Sequence, residues 1–184
     1  GKSAEHLVWA GGFPDKFREM HGYDLAAYLP ALKNDAGAIT PRVRVDFFET
    51  FTALYEEAWF KQIGEWCAEH DIALTGHTVE DLNRYITQGD YMQTMRHLQI
   101  PLTDNEAFRY TWPRTIGAWK PKQIASVGHL YGQDRIGAES LGGAGWTFTP
   151  HSARYGLNML SAYGVNFFVL HLYHYSMASP GSMD

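Results

Sequence analysis

"RIGAESLGGAGWTFTPHSARYGLNMLSAYGVNFFVLH", residues 135–171, decides how the chain is read. A short apolar run, "RIGAES", delivers one carboxylate, Glu139, into a glycine-rich loop that holds Trp146. Pro150 near the start and Gly164 after the end then bracket a helix. "VNFFVLHLYHYS" (165–176) follows as a strand, apolar on both faces for its first six residues. Strand, helix, strand is a βα unit, and near-continuous apolar strands suit parallel pairing with both faces covered.

Upstream the same grammar recurs. Pro121 opens a helix, "PKQIASVGHLYG", that Gly132 is placed to end. "IALTGH" (72–77) is a buried strand ending at His77. Before it, the spacing predicts one helix from about Pro41 to Glu69, with Thr40 as N-cap. Phe47, Phe51, Leu54, Tyr55, Ala58, Trp59, Gln62, Ile63 and Trp66 fall on one face of that helix. At 1.5 Å per residue it is about 40 Å long. "GDYMQTMRHLQIPLTD" (89–104) contains a helix that stops before Pro101, and "NEAFRYTWPRTIGAWK" (105–120) reads as an aromatic loop. Glu139 and His171 end their strands about 32 residues apart, the repeat of a (β/α) barrel or an open doubly wound sheet. Three strands do not close an eight-strand barrel. The expected fold is therefore α/β, of the (β/α)8 TIM-barrel type, with residues 1–184 forming a single domain that is an incomplete segment of such a barrel.

Composition narrows the function. The chain has 184 residues and a net charge of −5, so attraction to nucleic acid or to anionic membranes is not expected. Six Trp, 11 Tyr and 10 Phe are a surplus that fits a large core, but also a site that stacks flat ligands or sugar rings. Cys67 is the only cysteine, which removes internal disulfides and cysteine-based zinc sites, and its helical setting reads as a small buried hydrophobe.

Functional residues of parallel α/β folds gather at the carboxyl ends of strands. That rule selects His77, Glu139 and His171. Glu139 pairs with Arg135 or caps the following turn, or else serves as general acid, general base or nucleophile. Gly142, Gly143 and Gly145 would let backbone approach a ligand, with Trp146 as a stacking face. His77 is expected to donate a hydrogen bond to substrate, while Glu80 and Asp81 decorate a first helical turn. His174 and Tyr173 line the pocket or its rim. No metal ligand set is assigned, though zinc held by His77, Glu139 and His171 would make a metal-dependent hydrolase. Asp90 and Asp104 are each a second carboxylate or a turn residue. Trp112, Trp119 and Trp146, near Pro or Gly, read as loop aromatics suited to sugar C–H faces.

"MHGYDLAAYLPAL", "RVRVDFFETFTALYEEAWFKQIGEWCAEHDIALTGH", "RIGAES…GW" and "AYGVNFFVLHLYHYS", in that order and spacing, resemble the catalytic barrel of glycoside hydrolases, most nearly family 106, the α-L-rhamnosidase type. The resemblance runs from about Phe13 to Ser176. It implies hydrolysis of a glycosidic bond in a carbohydrate substrate, by a larger polypeptide of which this chain is part. Glu139 matches the glutamate of the family's "SE"-like strand-end motif, here Ala138-Glu139-Ser140, and would be the general base of an inverting mechanism. His171 matches a strand-end histidine facing the sugar. The family's other catalytic carboxylate belongs before the "GYDL" region, where this chain offers only Glu5, Asp15 and Glu19 in no such setting. The resemblance also implies calcium, without a ligand set that can be matched. A non-catalytic carbohydrate-binding segment is the alternative from another functional class.

Overall fold

The computed structural model describes residues 7–78, 88–105, 119–142, 144 and 148–171. The chain forms two compact units, Gly1–Ile63 with Asp81–Thr94, and Gly64–Glu80 with Met95–Asp184.

The first unit is helical. Helix α1 (Phe13–His21) is framed by two glycines in left-handed backbone, Gly12 (φ +80°) and Gly22 (φ +77°), a conformation that costs other residues far more. A 3₁₀ segment, Leu25–Leu32, starts at Asp24, whose side chain accepts from the Ala26 N–H at 2.9 Å. Helix α2 runs Thr40–Tyr55. Phe13, Phe17, Leu25, Ala31, Val43, Phe47 and Phe51 form the core between these elements. Thr40 is not the cap that the sequence predicts. Its hydroxyl accepts from the Ala36 N–H at 2.7 Å and approaches Asp35 at 3.3 Å, closing the preceding turn, and Ile39 takes the cap position.

The long helix is present, but its buried face turns partway along. A π-helical segment, Glu56–Lys61, joins α2 to α3 (Gln62–Glu69). Buried positions run Phe47, Phe51, Glu56, Phe60, Gly64 and Cys67, with a five-residue step from 51 to 56. A π turn holds one extra residue, which rotates everything after it relative to an even 3.6 period. The predicted face of Ala58, Trp59, Gln62 and Trp66 is therefore wrong beyond Tyr55: all four are exposed, Trp59 by 57% and Trp66 by 53%. Helix α4 (Tyr91–Met95) follows Asp90, whose Oδ1 accepts from the Met92 N–H at 2.9 Å. Asp90 is thus a capping residue.

The second unit holds a four-stranded parallel sheet of β1 (Thr75–Gly76), β2 (Ile100–Asn105), β3 (Gly137–Ser140) and β4 (Phe167–Leu170), in spatial order β1-β2-β3-β4. The helix expected before Pro101 is α4, and strand β2 is an element that the sequence pattern does not predict after it. Proline has no N–H for the ladder, but it falls at the second residue of β2, opposite Gly76 where β1 ends. The Ile100 N–H reaches the Leu74 carbonyl at 3.1 Å, while Gln99 Oε1 accepts from the Leu74 N–H at 2.7 Å. Trp119 opens helix α5 (Trp119–Tyr131), two residues before the predicted start, rather than lying in a loop. Gly132 ends it at φ +72°. Gly128 of α5 has no Cβ because the Ile136 side chain fills that space. Helix α6 (Pro150–Ala162) is capped by Thr149, which accepts from the Ser152 N–H at 3.2 Å, and buries Leu160 against Ala138 and Val165. No helix among the described residues is long and apolar enough to cross a membrane.

Candidate active site

Side chains alternate across a strand. Ala138 packs toward Leu160 of α6, so Glu139 points to the opposite face. Register sets Asp104 of β2, Glu139 of β3 and Val169 of β4 in one row, which puts Asp104 on Glu139's face. His77 follows the last residue of β1 and His171 follows the last residue of β4. The His171 N–H extends the ladder beyond β4, to the Ser140 carbonyl at 2.8 Å.

Two imidazoles converge on the one carboxylate. His77 Nε2 lies 2.7 Å from Glu139 Oε2, and His171 Nε2 lies 3.5 Å from Glu139 Oε1. The three side chains are 24%, 28% and 34% exposed in the order His77, Glu139, His171, so each is shielded yet reachable. Arg135, the alternative partner, makes no pair with Glu139. The proton count of the closer contact follows from geometry. His77 Nδ1 faces the Thr78 carbonyl at 3.1 Å, and a carbonyl only accepts, so Nδ1 carries hydrogen. A neutral ring would then turn a lone pair toward Glu139 Oε2. Two acceptors do not rest 2.7 Å apart, so a proton occupies the gap, carried by the ring or by the carboxyl.

The backbone behind the glutamate is unusual. Leu141 sits at φ +72°, a region that non-glycine residues seldom adopt and that clusters at functional sites. It swings the chain out of β3 immediately after Ser140. Gly142 comes next, and a Cβ there would lie 3.2 Å from the His171 ring at Cγ and Nδ1. The expected role of Gly142, room for a ligand, is thus taken by the histidine. His171 Nδ1 itself is buried with no hydrogen-bond partner among the described residues.

The structure therefore brings together three of the predicted site residues, His77, Glu139 and His171. Trp146, Tyr173 and His174 lie outside the described residues, as do Glu80, Asp81, Trp112, Gly143 and Gly145. Asp104 is a strand residue beside Glu139 rather than a turn residue. Calcium takes six to eight oxygen ligands. Imidazole nitrogens flank Glu139, so this trio does not fit calcium. Zinc held by the same trio is not supported either: among the described residues, the His, Asp and Glu donors that group within 4.8 Å of one another do not include it.

A family model of α-L-rhamnosidases, glycoside hydrolase family 106, matches residues 2–182. A protein of Formosa agariphila that bears the name "Putative beta-glucuronidase" is 26% identical over 170 residues, which are 90% of this chain and 14% of that protein. The chain thus spans about one seventh of the length of that curated relative. Matched over nearly its whole length, the chain belongs to glycoside hydrolase family 106.

Proposed function

We propose that the chain is a wall of a (β/α)8 catalytic barrel that hydrolyses the glycosidic bond of an α-L-rhamnoside, with Glu139 as one of two catalytic carboxylates. One observation supports this above the others: a carboxylate at the end of a parallel strand, held by the imidazoles of two further strand ends. Sequential strand order is what a barrel wall requires, since each βα unit adds the next neighbour. The proton between His77 and Glu139 fixes Oε2, leaving Oε1 to take a proton from water as its oxygen attacks the anomeric carbon. His171 Nε2, only loosely held by Glu139, also offers a polar edge to a sugar hydroxyl. Trp146, Tyr173 and His174 complete the proposal as stacking and rim residues. The substrate enters a larger polypeptide in which other segments close the barrel.

The test is Glu139→Gln in the full-length polypeptide, assayed on an aryl α-L-rhamnoside. Turnover should vanish while rhamnose binding persists, and undiminished turnover would sink the assignment. A second reading of the carboxylate pair is favoured by the register. Asp104 and Glu139 are register partners on neighbouring strands with side chains on one face, which makes Asp104 a candidate for the second carboxylate. The anomeric configuration of the first product separates the two. Inversion assigns the partner to another segment. Retention, together with an inactive Asp104→Asn, assigns it to Asp104.

A further inference from the structure

His21 closes α1, and Asp46, Glu49 and Thr50 lie on α2 of the same helical unit. Proton accounting singles out this cluster. Thr50 Oγ1 is 2.8 Å from the Asp46 carbonyl, which only accepts, so the hydroxyl's one proton goes there. The 3.0 Å contact between Thr50 Oγ1 and His21 Nε2 must then be donated by the ring. Nδ1 faces Asp46 Oδ1 across 3.7 Å, too wide for an N–H to bridge as a hydrogen bond. The gap is not open water, because the His21 and Asp46 side chains are only 9% and 12% exposed. Asp46 Oδ2 is already engaged, accepting from the Tyr23 hydroxyl at 2.8 Å with Arg42 Nε at 3.5 Å.

Glu49 supplies the third group. One donor atom each from His21, Asp46 and Glu49 lies within 4.8 Å of the other two, the only such trio among the described residues. Donors on a tetrahedral zinc, at about 2.0–2.2 Å from the ion, stand roughly 3.3 Å from one another. The 3.7 Å between His21 Nδ1 and Asp46 Oδ1 needs only a few tenths of an ångström of closure. A ligating histidine also fixes its ring by donating the other N–H to an oxygen. Thr50 receives that bond here.

We propose that His21 Nδ1, Asp46 Oδ1 and a Glu49 carboxylate oxygen bind a divalent transition cation of the zinc type, with Thr50 positioning the imidazole. One nitrogen and two oxygens suit zinc or cobalt and disfavour calcium. The ion would tie the end of α1 to the middle of α2. Cobalt(II) is the probe, added to chelator-treated intact protein and displaced by zinc. One equivalent should bind with visible d–d absorption. Glu49→Gln removes an exposed ligand and leaves the core alone, and it should weaken binding at least about tenfold. Thr50→Val keeps all three ligands and should weaken it about 10–100-fold, as loss of an outer-sphere partner does. Absence of cobalt uptake, or uptake unchanged in Glu49→Gln, overturns the proposal. So does nitrogen NMR showing His21 protonated at Nδ1 under saturating zinc.

Discussion

Each unit of the molecule holds a histidine facing a carboxylate, and the two pairs differ by one ångström. His77 and Glu139 stand 2.7 Å apart, whereas His21 and Asp46 stand 3.7 Å apart. The first gap is the size of a shared proton, and the second is the size of an ion. Their settings differ in the same sense. His77 and Glu139 sit at the ends of strands, a quarter or so exposed, where the proposed substrate would meet them. His21 and Asp46 are held by Thr50 and Tyr23, with side chains only 9% and 12% exposed. One distance thus separates the pair proposed for turnover from the pair proposed to hold an ion.

The largest effect is expected at Glu139. Replacement by Gln keeps the shape but loses the charge, and kcat should fall at least about a thousandfold if the residue takes or gives a proton in the transition state. The companion change Asp46→Asn, made in the ion-sized pair, should leave kcat within about twofold and lower the melting temperature instead. Equal losses of kcat in the two variants would erase the functional distinction between the pairs.

His77 comes next. Gln in its place can donate one N–H to Glu139 but cannot exchange a second proton. A drop of about a hundredfold in kcat, with KM nearly unchanged, is the expected signature of a lost proton-handling partner. A purely positional role would instead be rescued by Gln. Below that stands Gly142→Ala, which pushes a methyl to 3.2 Å from the His171 ring. His171 is the more distant of Glu139's two neighbours, so the loss should be nearer tenfold. A fully active Gly142→Ala enzyme would show that the His171 position does not matter to Glu139.

Much of this arrangement is legible in the residues alone, and the reasons it stops being legible are physical. Strand ends show in sequence because an apolar run breaks where burial ends, which is why His77, Glu139 and His171 stand out together. The contact between His77 and Glu139 does not show. It joins residues 62 apart, on strands separated by β2, and β2 itself is disguised by Pro101. Periodicity is equally sound up to Tyr55 and fails after it, because hydrogen-bond pattern rather than residue type inserts the π turn at Glu56–Lys61. Gly142 illustrates a third limit. Its lack of a side chain is plain in the sequence, but what fills the space, a histidine rather than a ligand, depends on the fold.

The smallest predicted effect probes the ion-sized pair without touching its histidine. Burial, and then the hydrogen bond to Asp46, push the Tyr23 hydroxyl up to about 12 from its ordinary 10.0. The raised value favours the neutral phenol in the folded chain, so Tyr23's contribution to stability is whole below pH 10 and disappears as pH climbs toward 12. Ultraviolet titration of chelator-treated protein should therefore show Tyr23 ionising late, beside Tyr55, whose hydroxyl burial also pushes up, and Asp46→Asn should lower Tyr23 alone by removing the charge that its phenol donates to. No such change in the variant would mean that the phenol does not donate to Asp46. Oδ2 would then be open to a cation, and the division of labour between the two carboxylate oxygens, on which the ion-sized reading of the gap depends, would have to be redrawn.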